Sequence, residues 1–357
     1  MAQRIALIFG ISGQDGAYLA HLLLSKGYQV HGVSRSVEIG RFDRLARIGI
    51  RDRVRLHTGN LSEFRSVVEL IGKVGPSEIY NLAGQTSVAQ SFELPVETFD
   101  SIAVGTINIL EYLRLLQHPI RLFQAVSTEC FGHAPTVLDE SGPFRPRSPY
   151  AVAKAASFWA NSIYREAYGL HVCSGILSNH ESPLRPNRFV TRKIVQAAIG
   201  IANGSGERLA LGDVGIERDW GWAPEYAEAM WRMLQHEQPD DYIIATGETR
   251  PLSDLVAAIF ARLDLDWRDH VDTDETLFRP SELQRVELCP ARARDRLGWV
   301  ALSKMDDVVA HLVTCALNET LGPVPWQDEI LPDRRAEGGD VPWPDPALRE
   351  PVLQAGD

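Results

Sequence analysis

The sequence predicts an α/β fold built on a doubly wound parallel sheet, and three observations carry that expectation. Short continuous apolar runs, as expected of strands buried on both faces, alternate with helical segments through the first half of the chain. The first of these runs, Ile5-Ala6-Leu7-Ile8-Phe9, ends in Gly10-Ile11-Ser12-Gly13-Gln14-Asp15-Gly16 and leads into a helix. A later apolar strand is followed by a Tyr and a Lys four residues apart, Tyr150 and Lys154. Strand, glycine-rich turn and helix in that order are the setting a dinucleotide fingerprint requires. The expected architecture is therefore a Rossmann-type sheet with a smaller α/β substrate domain interleaved on its C-terminal side.

Taken in order, the first helix carries Tyr18, Leu19, Leu22 and Leu23 on one side and stops at Gly27. Gly10 allows the tight turn, Gly13 lets the backbone approach a pyrophosphate, and Gly16 lets the helix pack closely on the sheet. The second strand, Gln29 to Ser34, ends at Arg35. Binders of NAD carry an acidic residue near this point for the ribose 2′-hydroxyl. A guanidinium suits a 2′-phosphate instead, so NADP is the expected cofactor. Arg41 is a second candidate for that grip, and a solvated surface charge is the plain alternative for Arg35.

Val54 to Thr58 reads as the third strand and leads to Gly59-Asn60-Leu61, a site for the adenine edge. Glu78 to Gly84 reads as a strand ending in small residues. Asp100 to Leu115 reads as a helix. Leu122 to Val126 reads as the strand that delivers Ser127 and Glu129 to its C-terminal end, where ligands bind in open α/β sheets. Tyr150 and Lys154 then lie one turn apart on one helix face. An ammonium so placed lowers the pKa of a phenol, and a hydroxyl just after the strand completes a proton-handling site. Glu129 is the unusual member, because hydride transfer does not need it and removal of water does.

The wider composition excludes several classes. With 357 residues, 45% hydrophobic and 23% charged, the chain reads as an ordinary soluble globular protein. A net charge of −11 without a dense Lys/Arg block argues against nucleic acid as a partner. No stretch approaches the roughly 18 apolar residues of a membrane span. Met1-Ala2-Gln3-Arg4 leads straight into a strand rather than a secretory hydrophobic region, so the expected location is the cytoplasm. Cys130, Cys173, Cys289 and Cys315 are scattered, with neither CxxC nor zinc spacing, and no metal is expected.

The residues resemble the extended short-chain dehydrogenase/reductase superfamily and, more narrowly, the GDP-mannose 4,6-dehydratase family. The resemblance rests on the segments 10–19, 124–129 and 145–154, then on Asn179-His180-Glu181-Ser182-Pro183, Phe189-Val190-Thr191-Arg192-Lys193 and Arg218-Asp219-Trp220-Gly221. It continues in Ile244-Ala245-Thr246-Gly247 and Phe278-Arg279-Pro280-Ser281-Glu282 and covers about residues 4 to 320. It implies a dehydratase that oxidises C4 of a GDP-hexose, loses water across C5 and C6, and returns the hydride to C6. Ser127, Glu129, Tyr150 and Lys154 are the implied catalytic set. Tyr150 would take the C4 hydroxyl proton, Lys154 would hold the phenolate form, Ser127 would bond the C4 oxygen, and Glu129 would move the C5 proton to the departing hydroxyl. The implied cofactor contacts are Gly10, Ser12, Gly13, Gln14, Asp15, Gly16, Arg35, Asn60, Leu61, Leu82, Ala83, Tyr150, Lys154, Asn179, His180 and Arg185. On the sugar side the implied contacts are Thr86, Ser127, Glu129, Asn179, Val190, Lys193, Arg218, Arg279 and Glu282. Lys193, Arg218 and Arg279 suit a diphosphate, and Glu282 suits a ribose diol. A homodimer or homotetramer is implied, with helices Asp100–Leu115 and Tyr150–Tyr168 as the contact.

The chain departs from the family pattern in places. Ser127 stands where Thr is common, Asn60 where Asp is usual, and Arg35 is followed by Ser36 rather than a second Arg. The largest change is Leu184-Arg185-Pro186-Asn187-Arg188, where the family has Gly and Glu. A GDP-linked heptose or another GDP-hexose is therefore a second candidate substrate. A nucleotide-sugar epimerase or reductase is a rival on the same fold, and Glu129 argues against it. A silent NADP-binding scaffold would be expected to have lost Ser127, Tyr150 or Lys154. The expected domains are residues 1–177 with returning segments near 213–247 for the cofactor, 178–322 for the nucleotide sugar, and an extended proline- and acid-rich tail over 323–357.

Overall fold

The computed structural model describes residues 4–321, apart from Ile39, Gln117, Pro135 and Pro280. The tail expected over 323–357 lies outside the described residues. Strand β1 (Ile5–Phe9) is buried from Ala6 onward, as its unbroken apolar run requires. Helix α1 (Gln14–Ser25) buries Ala17, Tyr18, Leu19 and Leu23, while Leu22 is only half-buried. Then come β2 (Gln29–Ser34), α2 (Asp43–Arg47), β3 (Arg55–Thr58), α3 (Phe64–Val74) and β4 (Glu78–Asn81). The strand expected to reach Gly84 stops at Asn81. There the Asn81 amide turns inward to donate to Gln124 Oε1 at 2.8 Å. The backbone beyond bonds Phe9 through the Leu82 N–H at 3.0 Å.

Helices α4 (Val88–Glu93) and α5 (Pro95–Phe99) follow, and a π-helical turn at Asp100–Val104 joins α5 to α6 (Gly105–Leu115). The helix expected to begin at Asp100 therefore begins upstream, with Pro95 in its first turn, where the missing N–H costs nothing. Next are β5 (Arg121–Ser127), α7 (Pro149–Tyr168) and β6 (Val172–Leu177).

The second half supplies β7 (Asn179–Glu181), α8 (Val190–Ala202), β8 (Leu209–Leu211), β9 (Glu217–Trp222), α9 (Ala223–Gln235), β10 (Asp241–Ile244), β11 (Thr249–Pro251), α10 (Leu252–Ala261), β12 (Val271–Thr273), α11 (Ala291–Leu297) and α12 (Met305–Leu321). Strand β10 returns to the main sheet, whose order is β10-β6-β5-β4-β1-β2-β3. Every pairing in that sheet is parallel. The chain leaves β1 toward β2 on one side and resumes at β4 on the other, so the crevice at their C-terminal ends is a topological switch point.

Two small sheets, β11-β9-β7 and β12-β8, lie beside α8, α10 and α12. Their shared core includes Ile194, Trp220, Leu255, Ile259, Phe260, Val308 and Leu312. Each of these side chains contributes about 1.5–3 kcal/mol by leaving water. Asp219 joins this part to the large sheet. Its carboxylate accepts from Ser178 Oγ at 2.9 Å and from the Thr246 and Gly247 N–H groups at 2.9 and 2.8 Å.

Candidate active site

The site is built on the turn after β1. Gly10 has φ +85°, and a Cβ there would lie 2.8 Å from the Leu82 carbonyl carbon. At Gly16 a Cβ would meet the Gly10 carbonyl oxygen at 2.5 Å. Only glycine closes this cradle, which presents the backbone N–H groups at the start of α1 to the crevice. That arrangement fits a dinucleotide pyrophosphate.

The side chains of Gln14 and Asp15 turn toward a neighbouring segment instead. Gln14 donates to Asp15 Oδ1 at 2.9 Å and to the His180 carbonyl at 3.2 Å, and it accepts from Ser182 Oγ at 2.7 Å. His180 Nε2 lies 3.1 Å from Asp15 Oδ1, and its Nδ1 lies 2.7 Å from the Ser178 carbonyl. Both ring nitrogens face acceptors, which favours the protonated imidazole. Burial alone would lower the His180 pKa, but Asp15 reverses this and raises it. For Asp15, burial pushes up, and His180, Gln14 and Arg185 together outweigh it, leaving its carboxyl at about 2. The sequence did not signal that these two motifs interlock, because nothing in a linear pattern pairs residues 15 and 180.

Strand β5 ends at Ser127, and a 3-10 turn at Thr128–Cys130 carries Glu129. Tyr150 and Lys154 come from the first turns of α7. Ser148 caps that helix by accepting from the Ala151 N–H at 3.1 Å, with Pro149 in the first turn. The Ser127 hydroxyl accepts from the Glu129 N–H at 3.3 Å and lowers the pKa of Tyr150. The expectation that Lys154 lowers the Tyr150 pKa does not hold for the chain without ligands. Lys154 Nζ donates to the Ala125 carbonyl at 2.7 Å and sits 5.8 Å from the Tyr150 ring centroid. Burial raises the Tyr150 pKa well above its ordinary value, only partly opposed by Ser127 and Arg185. Lys154 is itself desolvated, which pushes its pKa down to about 8.

Glu129 is poised differently. Burial raises its carboxyl, Arg218 and Arg279 oppose that rise, and Glu282 adds to it. Arg218 donates to the Leu283 carbonyl at 2.7 Å and to Glu282 Oε1 at 2.9 Å, and Arg279 reaches the same oxygen at 3.2 Å. One oxygen of Glu282 is thus taken by two guanidinium groups. Lys193 Nζ donates to the Ala210 carbonyl at 2.7 Å.

A single cleft of about 1080 Å³ runs through these parts, large enough for a cofactor and a second ligand. It is lined by each cofactor and substrate residue named above except Arg41, including Thr86, Asn179 and Val190. Asn60 and Arg35 are also engaged elsewhere. Asn60 closes its own turn, accepting from the Ser62 N–H at 3.1 Å and donating to Glu63 at 3.0 Å. The Arg35 side chain is 83% exposed and pairs with Glu97 at 3.3 Å. Arg44 and Arg188, which the sequence reading did not name as ligand-binding, also line the cleft. Arg44 donates through Nε to the Leu184 carbonyl at 2.7 Å and through Nη1 to the Ser12 carbonyl at 2.8 Å. Among the described residues no group of three or more His, Cys, Asp or Glu side chains is arranged to hold a metal ion. No described helix is long and apolar enough to cross a membrane.

Comparison with known proteins bears on this arrangement. A family model described as GDP-mannose 4,6 dehydratase matches residues 7–312. The chain is 44% identical over 321 residues to GDP-mannose 4,6 dehydratase 1 of Arabidopsis thaliana, covering 87% of this chain and 89% of that one. It is 39% identical over 349 residues to the GDP-mannose 4,6-dehydratase of Yersinia enterocolitica, covering 88% and 94%. Among solved structures, a dTDP-glucose 4,6-dehydratase from Bacillus anthracis in complex with NAD superposes with a TM-score of 0.76 at 20% identity, covering 88% and 97%. RMD from Pseudomonas aeruginosa, complexed with NADPH, gives 0.71 at 21%, covering 87% and 98%. These two likenesses establish the fold.

Proposed function

This chain belongs to the GDP-mannose 4,6-dehydratase family, and from that premise we propose how its residues share the work of a nucleotide-sugar 4,6-dehydratase that uses NADP. NADP, when bound, would supply the acceptor for the C4 hydride and the donor that restores it at C6, which makes the turnover redox-neutral. Gly10, Gly13 and Gly16 hold its pyrophosphate against backbone N–H groups. Tyr150 takes the proton of the C4 hydroxyl, and Ser127 orients that oxygen. Lys154 supplies the positive charge that the phenolate needs once ligands displace its bond to the Ala125 carbonyl. Glu129 removes the C5 proton, made acidic by the adjacent ketone, and delivers a proton to the leaving C6 hydroxyl. Arg218, Arg279 and Lys193 meet the diphosphate of GDP.

One observation carries the reading: the buried Glu129 carboxyl, its pKa raised, stands two residues from Ser127 in the cleft that also holds Tyr150. An epimerase has no work for that group. The altered loop at Leu184–Arg188 is held against the cofactor end of the cleft, since Arg44 ties the Leu184 carbonyl to that of Ser12. That supports GDP-mannose over a GDP-heptose as the substrate. The test is to incubate the protein with GDP-mannose and no added reduced cofactor. A 4-keto product that absorbs in alkali is expected. Stoichiometric, unreturned NADPH would indicate a plain dehydrogenase, and no change would indicate a non-catalytic binder.

The working form is a homo-oligomer in the cytoplasm. Val152, Trp159 and Ile163 on α7 are 44%, 55% and 57% exposed, beside Phe99 at the end of α5 and Ile107 on α6. A monomer would leave this apolar stripe in water, and a second copy of the same helices covers it. Replacing Trp159 and Ile163 together by Glu is expected to give a monomer in light scattering. An unchanged mass would place the contact elsewhere. Free thiols at Cys130, Cys173 and Cys289 suit a reducing compartment.

The division of labour follows the chain's own layout. We assign the cofactor to residues 1–177 with the returning segment that holds α9 and β10, and the nucleotide sugar to the interleaved remainder up to 322, with β9 at the junction.

A further inference from the structure

We propose that Asp15 is a positioning residue of the catalytic centre: fixed by Gln14 and His180 at the wall of the cleft, its carboxylate is the negative charge that keeps Lys154 in the ammonium form that Tyr150 needs. The proposal rests on the role given to Lys154 above and names the group that sustains it.

The need comes first. Lys154 is 4% exposed, and its Nζ donates to the neutral Ala125 carbonyl at 2.7 Å. A buried ammonium facing a carbonyl is disposed to give up its proton. Its pKa of about 8 lies close to neutrality. A small further fall would leave Tyr150 without a cation when the phenolate forms.

Two acidic groups act on Lys154 among the described residues, Cys130 and Asp15, and each favours its charged form. Cys130 follows β5 and is fully buried. Burial pushes its thiol up to about 12, so it carries no charge at neutral pH. Tyr150, one turn away on α7, is held neutral by burial in the same way. Asp15, from the first turn of α1, is therefore the anion of the group.

The geometry makes that charge permanent. Gln14 donates to Asp15 Oδ1 at 2.9 Å, and His180 Nε2 lies 3.1 Å from the same oxygen. His180 is itself fixed. Its Nδ1 faces the Ser178 carbonyl at 2.7 Å, and its ring stacks on Tyr226 with centroids 4.5 Å apart and planes 19° apart. The Tyr226 hydroxyl is in turn 2.6 Å from Ser178 Oγ. Arg185 adds a second positive charge near Asp15. A carboxylate held in this way stays ionised across the neutral range, and it lines the same cleft as Lys154.

The charge on Lys154 can be read directly in the chain without ligands. The sequence has five lysines, so with lysine labelled by carbon-13 at Cε the Lys154 side chain is one of five resonances, identified by its loss in Lys154→Met. Its titration should centre near pH 8. Asp15→Asn should lower that midpoint by about one pH unit and leave those of Lys26 and Lys73 where they are. Loss of Asp15 also releases the His180 proton, but His180 is not among the groups that act on Lys154. Turnover of GDP-mannose should follow the same shift. Relative to the parent, kcat of Asp15→Asn should lose about tenfold more at pH 9 than at pH 6, because one pH unit is a factor of ten. His180→Gln keeps an amide donor for Asp15 and removes the positive charge, so it should leave the Lys154 midpoint unchanged or raise it. An unchanged midpoint in Asp15→Asn overturns the proposal. So does an equal loss of kcat at every pH, which would make Asp15 a purely structural tie. A fall of about one pH unit in His180→Gln overturns it too, since packing of the lock and not the charge would then hold the ammonium. That variant decides the matter should Asp15→Asn not fold. If the unaltered protein forms no 4-keto product, the dehydratase reading fails, while the Lys154 titration still decides this one.

Discussion

Glu129→Gln is expected to stop water loss while sparing the oxidation that precedes it. The change keeps the shape of the side chain and removes its ability to carry a proton. Positioned acid–base groups are worth about 10²- to 10⁴-fold, so formation of the 4-keto-6-deoxy product should fall by that factor. Tyr150 and Ser127 remain, and a GDP-4-keto sugar that retains its C6 hydroxyl should build up to the concentration of the enzyme. Borohydride trapping and mass measurement would detect it. The unaltered enzyme should also show an acid limb in kcat above the ordinary carboxylate range, because burial raises the Glu129 carboxyl. Glu129 must be ionised to take the C5 proton, so activity rises with pH through that limb. Arg279 lowers the same pKa, and Arg279→Gln should therefore move the limb to higher pH. In Glu129→Gln the limb should vanish. Dehydration at the normal rate by this variant would overturn the assignment.

The contrast between what the sequence disclosed and what it hid follows from the range of the interactions involved. β1, the glycine turn, β2 and α7 were legible because their causes are local: an apolar run, a tight turn, a Ser-Pro helix start. The early start of the α5–α6 helical run was not legible, since Asp100 is an ordinary place for a helix to begin and nothing in the sequence marks Pro95 as its opening residue rather than a turn residue. Ser127, Glu129, Tyr150 and Lys154 were legible as chemistry at two strand and helix ends. Their electrostatics were not. Lys154 is four residues from Tyr150 in either description, but its bond to Ala125 depends on a strand from elsewhere in the chain. Arg44 was passed over for the same reason. Its importance lies in two carbonyls at residues 12 and 184, and only the folded chain brings them together.

Lys154→Met should abolish activity and yet leave the ligand-free fold no less stable. Without the ammonium only Ser127 and Arg185 oppose the burial that raises the Tyr150 pKa, and the phenolate formed in turnover loses its cation, so kcat should fall by about 10²- to 10⁴-fold. Stability responds in the other sense. Below about pH 8 both folded and unfolded chains hold the Lys154 proton, and the folded state bears the expense of a buried ammonium. A fall from 10.5 to about 8 corresponds to about 3 kcal/mol. Between these two values the unfolded chain keeps a proton that the folded chain has released, so stability should climb with pH across that window. Above 10.5 neither state holds it. Met has a similar length and no charge. It removes the burden but leaves the Ala125 carbonyl without its partner, a loss of about 1–3 kcal/mol. The two nearly cancel, so the variant's melting temperature at pH 7 should equal or slightly exceed that of the parent, and the climb from pH 8 to 10.5 should disappear. A large drop in melting temperature at pH 7 would mean that the ammonium stabilises the fold outright. Lys154 would then be a structural residue that happens to lie in the active site, rather than a charge kept there against the preference of the fold because the chemistry at Tyr150 demands it.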